Sequence, residues 1–100
     1  MVNKEKRLMA TKVTIIAGIE FRVGRSGMYT GWKIGLTHEL EKSKRDWELR
    51  QGGDIDRWSE WQANSLGEAE DIQGHFREKG MSGAGGESLS RYKPIYVFIF

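Results

Sequence analysis

Residues 32–47, WKIGLTHELEKSKRDW, constrain this chain more than any other stretch. Trp32, Ile34 and Leu36 alternate with Lys33 and Gly35, the two-residue period of a strand with one buried face. Within a few residues the pattern becomes that of a charged helix. Thr37 has the chemistry of an N-cap, and Glu39 and Glu41 fall in the first turn, where carboxylates favour the positive end of the helix dipole. The helix is expected to reach about Leu49, with Leu40 and Trp47 two turns apart on its inward stripe.

The remaining segments complete an α+β pattern. Lys12 to Val23 is rich in β-branched residues, and Ile19, Phe21 and Val23 alternate with Glu20 and Arg22, so a strand is expected there with Gly18 as a bulge. Gly24-Arg25-Ser26-Gly27 reads as a turn and Met28 to Leu36 as the return strand, forming a hairpin. Trp58 and Trp61 would suit one helix turn, but Ile55, Trp61 and Ala63 favour a strand over 55–63. Ser65-Leu66-Gly67-Glu68 has the spacing of a capping box, followed by the apolar stripe Leu66, Ala69, Ile72, Phe76 and a terminating Gly80. Residues 80–93 form a glycine- and serine-rich loop. Tyr96 to Phe100 is apolar on both faces and is therefore expected to be a central or covered strand.

The expected fold is a small, mainly antiparallel sheet of three to four strands with two principal helices. A single core would include Ile15, Ile34, Leu36, Leu40, Trp47, Ile72, Phe76, Val97 and Ile99. Residues 1–11 read as a flexible basic N-terminus and 12–100 as one α+β domain.

Composition narrows the partners. The chain has no cysteine, which removes disulfides and thiolate metal sites. The apolar run Val13 to Ile19 is far shorter than the ~20 residues that span a bilayer, and no small-residue cleavage site follows it. The expectation is a cytoplasmic protein without membrane contact. A net charge of +2 points to nucleic acid only if the cations are concentrated on one surface.

The order hairpin, helix, strand, helix resembles the GIY-YIG nuclease domain. Lys33-Ile34-Gly35 stands where that family has Tyr-Ile-Gly, Thr37 and Leu40 match its helix start, and Gly18-Ile19 matches the start of its first motif. Ala69, Ile72 and Gln73 resemble the segment that carries the family's metal-binding glutamate. The likeness covers about Val13 to Gly80. The tail, with MSGAGGES and YVFIF, is also similar to that of prokaryotic proteins of this size, a likeness that implies no activity. The nuclease resemblance implies a tyrosine near an attacking water, an arginine on the phosphate and a glutamate on a divalent ion. Those positions read Glu20 or Phe21, Ser43 and Gln73, and Lys33 replaces the second tyrosine. Gln73 lacks the anionic oxygen a hard ion prefers. A shift of register would instead bring Glu70 and Arg45 to the metal and phosphate positions.

The departures favour a non-catalytic module of GIY-YIG-like fold, with no cofactor and no metal. Lys33, Lys42, Lys44 and Arg45 are the candidate phosphate-contacting residues, expected on one surface beside the hairpin, with Arg50, Arg22 and Arg25 nearby. The bland reading of the same helix is a solvated face, since Glu39, Glu41, Asp46 and Glu48 interleave with its cations. Asp71 and His75 with Glu68 could face a metal but form a poor ligand set. Gly80, Gly83, Gly85 and Gly86 could cradle an anion, without the sequence of a phosphate-binding loop. His38 and His75 both read as helix-surface residues. The alternatives are an active divalent-metal nuclease with substituted residues, and a protein-interaction domain that uses an exposed sheet edge.

Overall fold

A computed structural model describes residues 10–24, 27–84 and 88–100. Residues 1–9 of the basic N-terminus, Arg25, and Gly85 and Gly86 of the glycine-rich loop lie outside the described residues. Three helices and four strands follow in the order α1 (Lys12–Val23), β1 (Lys33–Thr37), α2 (Leu40–Gln51), β2 (Ser59–Ala63), α3 (Leu66–Glu78), β3 (Ser82–Gly83) and β4 (Ile95–Ile99). The strands form one mixed sheet in the order β2-β4-β1-β3. β4 is antiparallel to both neighbours, with Val97 opposite Leu36 on one side and Trp61 on the other. β1 and β3 are parallel, with Lys33 opposite Ser82.

The class α+β stands, but the first hairpin does not. Residues 12–23 are a helix, capped by the Thr11 hydroxyl, which accepts the Thr14 N–H at 3.2 Å. The alternation of Ile19, Phe21 and Val23 misleads because Ile15, Ile16, Ile19 and Val23 also lie on one helical stripe. Ile15 and Ile19 are fully buried, whereas Phe21 projects into solvent. Burying two isoleucines stabilises by about 3–6 kcal/mol, more than the few tenths each that β-branched residues cost a helix. Gly18 is no bulge: a Cβ there would meet the Trp61 ring at 3.0 Å, so the glycine lets α1 settle on β2.

Two further expectations change. The loop after α3 contains β3, whose parallel pairing makes the sheet mixed. The apolar interior also falls into two clusters, because helices cover both faces of the sheet. On one face α1 and α3 bury Ile15, Ile19, Ile72 and Phe76 against Ile34, Leu36, Val97 and Ile99. On the other, Phe98, Phe100, Ile55 and Ala84 are covered by Leu40 and Trp47 of α2 and by Trp58. Leu40 and Trp47 are thus half-buried members of the second cluster. β4 serves both faces, odd-numbered side chains one and even-numbered the other, which accounts for its continuous apolar sequence. Among the described residues no helix is long and apolar enough to cross a membrane.

Candidate nucleic-acid interface

The β1–α2 turn is held by a buried hydroxyl. Thr37 ends β1 and is not the cap residue; that position is Glu39, whose own side chain makes no capping bond. The Thr37 Oγ1 accepts the Glu39 N–H at 3.0 Å and the Ser43 hydroxyl at 2.7 Å. Ser43, at the position where the resemblance implies an arginine, is therefore an anchor for the turn. Gln73, at the implied glutamate position, donates from Nε2 to the Ile34 carbonyl at 3.4 Å. Gly18-Ile19 and Glu20-Phe21 lie on helix α1, so the strand implied for the first motif is absent at those residues.

The four candidate cations do not share one surface. α2 runs back along β1, so Lys42 near its start and Lys33 at the beginning of β1 lie toward opposite ends. Lys42 is paired with Asp46 at 3.1 Å. With Arg45 it lines an open groove of about 670 Å³ whose other walls include Glu39, Glu41, Glu60 and Tyr96, a surface of mixed charge. Lys44 is half-buried on the inward side of α2 with Leu40, Ser43 and Trp47. Lys33 lies beside Gln51, Arg57 and Phe100 in a smaller depression of about 300 Å³, whose rim also carries Asp54 and Asp56.

Sequence reasoning missed what gathers around Lys33. β1, β2 and β3 begin at this end of the sheet, and the three helices finish there. Arg22, in the last turn of α1, donates to the Ser59 hydroxyl at 2.9 Å. The Lys33 ammonium is 5.9 Å from the Phe100 ring centre, and the Arg50 guanidinium is 4.8 Å from that of Trp47. Arg57 lies 3.8 Å over Trp32 and donates to the Gly31 carbonyl at 2.7 Å. Lys79 stands 5.6 Å from the Tyr29 ring. Cations suit helix C-termini, and each ring contact is worth about 0.5–1 kcal/mol at an exposed site. Those terms explain the positions structurally. They also leave charge in place, because a ring attracts a cation without neutralising it, unlike the carboxylates on Lys42 and Lys12. Of these cations the sequence had placed Arg50 and Arg22 near Lys33, but it carried no signal for Arg57 or Lys79.

The other constellations resolve simply. Asp71 pairs with Lys12 at 3.5 Å, and among the described residues no three His, Asp or Glu side chains come together to hold a metal. His38 is not a mere surface residue. Its Nε2 accepts the Ser90 N–H at 2.8 Å, which leaves Nδ1 to donate to the Pro94 carbonyl at 2.7 Å. The ring is thereby a neutral tautomer that ties the segment before β4 to the β1–α2 turn. Comparison with protein-family models, curated proteins and solved structures gives no match.

Proposed function

We propose that the protein is a non-catalytic module that binds nucleic acid through the phosphate backbone, at the end of the sheet where β1 and β2 begin. The carrying observation is that Lys33 and Arg57 line one depression at that end, with Arg50 and Lys79 near the ends of α2 and α3 on its two sides, each of the four over an aromatic ring. Phosphates engaged by such cations position a strand without reading its bases. Asp54 and Asp56 at the same rim limit the strength of the attraction. The surface differs from the helix face expected from sequence: it keeps Lys33 and replaces Lys42, Lys44 and Arg45. In this reading the likeness to the GIY-YIG domain is confined to the β1–α2 unit and the helix after β2. Cleavage is disfavoured because Ser43 and Gln73 are committed to hydrogen bonds that hold the fold.

Fluorescence anisotropy with a labelled oligonucleotide at low salt tests the proposal. Binding should be indifferent to sequence and weaken with salt, with a log–log slope of roughly −0.9 on duplex DNA for each phosphate neutralised. The triple substitution Lys33→Ala, Arg50→Ala, Arg57→Ala should abolish it, whereas Lys42→Ala with Arg45→Ala should have a smaller effect. The reverse order of effects would return the site to the outer face of α2. Nicking of a plasmid with Mg²⁺, abolished by EDTA, would replace the proposal by the nuclease alternative.

A further inference from the structure

The sheet has two edges. β3 is two residues long, whereas β2 offers five residues of backbone. Lys33 and Phe100 exchange both backbone bonds, so the even-numbered residues of β4 pair with β1 and the odd-numbered ones with β2. Ser59, Trp61 and Ala63 therefore bond inward to β4, and Glu60 and Gln62 turn their backbone groups outward. Among the described residues only the Ala10 N–H meets that edge, donating to the Gln62 carbonyl at 2.8 Å. The N–H and carbonyl of Glu60 and the N–H of Gln62 have no backbone partner among them. The flanks of this edge differ in chemistry. On the α2 side lies the open groove of about 670 Å³, lined by the four carboxylates of Glu39, Glu41, Asp46 and Glu60 against the two cations of Lys42 and Arg45. On the other side α1 lies over β2, with Gly18 against the Trp61 ring. Thr14 and Phe21 sit about 40° and 60° round the helix from Gly18, on the side away from Ile15 and Ile19, and so toward the outer edge. The bond from Arg22 to Ser59 sets Phe21, 88% exposed, beside the start of β2.

We propose that the outer edge of β2 takes an added strand, an extended segment of a partner protein in which basic side chains alternate with apolar ones. The outward amides and carbonyl select extended backbone over a helix. Successive side chains of a strand point to opposite faces, so one set enters the groove with its excess of carboxylates and the other lies beside Phe21. Charge complementarity thus fixes the basic set, and the exposed ring fixes the apolar one. A second copy of β2 is the poorer occupant. Ala10 holds the Gln62 carbonyl, so two-fold antiparallel pairing is left to centre on Glu60, which sets like charges directly opposite each other. A nucleic acid is repelled by the same carboxylates.

NMR titration and amide exchange of the full chain test the proposal. The probe is a capped peptide of about six residues that alternates lysine with valine. With about 1 mM peptide, exchange at the Glu60 and Gln62 amides should slow by roughly fivefold, while Gly83 on the opposite edge is unchanged. Glutamate in place of the lysines should weaken binding by about tenfold, and Glu60→Lys should reverse that preference. Glu60→Gln keeps an acceptor for the Trp58 Nε1–H, bonded at 2.7 Å. It should weaken the lysine peptide by about threefold with Tm unchanged. Equal binding of the lysine and glutamate peptides, or binding of neither, would overturn the proposal. Slow exchange at both amides in the dilute free chain would also overturn it, since the chain itself would then close the edge. Slowing that grows with protein concentration would assign the edge to a second copy instead.

Discussion

Gly35, in the middle of β1, offers the sharpest test of the packing. A Cβ at this residue would overlap Cζ of Phe98 and stand 2.9 Å from both Phe98 Cε2 and the Ala84 carbonyl oxygen. The ring has little room to retreat: Phe98 is 1% exposed and stacked under Trp58 with 4.6 Å between ring centres. Overpacking of this kind costs about 1–3 kcal/mol. Replacing glycine by alanine returns roughly 0.4–1 kcal/mol by restricting the unfolded chain where the backbone allows it. Because one of the colliding atoms belongs to the backbone, Gly35→Ala should destabilise by about 2 kcal/mol, lowering Tm by roughly 8–16 °C. Gly74→Ala supplies the contrast. Gly74 is exposed within α3, and its added Cβ would meet nothing within 4 Å, so the same change should stabilise by up to about 1 kcal/mol. Urea unfolding followed by tryptophan fluorescence measures both. Phe98→Leu, destabilising by itself, should recover at least ~1 kcal/mol when combined with Gly35→Ala, a non-additivity that belongs only to residues in contact. A cost below ~0.5 kcal/mol for Gly35→Ala, or additive behaviour with Phe98→Leu, would refute the reasoning. In that case a role for Gly35 other than making room for the ring would have to be sought.

Thr37→Val keeps the shape of the side chain but leaves the Ser43 hydroxyl and the Glu39 N–H without their partner; urea unfolding should show a loss of about 1–3 kcal/mol, and a loss no larger than that of Ser43→Ala would show that the buried hydroxyl is not the centre of the turn. His38→Ala removes both ties to the 90–94 segment. Amide exchange at Ser90 should quicken by roughly tenfold while Ile34 and Val97 in the sheet stay protected; unchanged exchange at Ser90 would mean the segment is held by other contacts.

Much of the fold is legible wherever a segment's local pattern and its burial agree. The Ser65 hydroxyl accepts the Glu68 N–H at 3.1 Å as the capping-box spacing implies, although the Glu68 carboxylate makes no reciprocal bond. The α3 stripe of Ala69, Ile72 and Phe76 is buried, and β4 is an interior strand because both of its faces are apolar. α2 ends within two residues of its expected end and β1 ends within one, because the period of the side chains changes abruptly between them, but β1 begins at Lys33 and not at Met28. The candidate cations were less legible. Charge adjacent in sequence suggested a surface on α2, yet helical rotation turns Lys44 away from Lys42 and Arg45, which share a groove, and Lys33 lies in a different depression.

By itself the sequence determined one helix-bearing strand unit, a capped second helix, a doubly buried last strand and the absence of thiol chemistry, all properties carried by neighbouring residues. Only tertiary structure decided the state of residues 12–23, where strand and helix periods both fit and the burial of Ile15 and Ile19 against α3 and the sheet selects the helix. It also decided β3, since a two-residue parallel strand exists only through its pairing with β1. The gathering of Lys33, Arg50, Arg57 and Lys79 is of the same kind. These residues are up to 46 positions apart, and they share one end of the sheet because parallel strands joined by helices return every helix C-terminus to the end where the next strand begins.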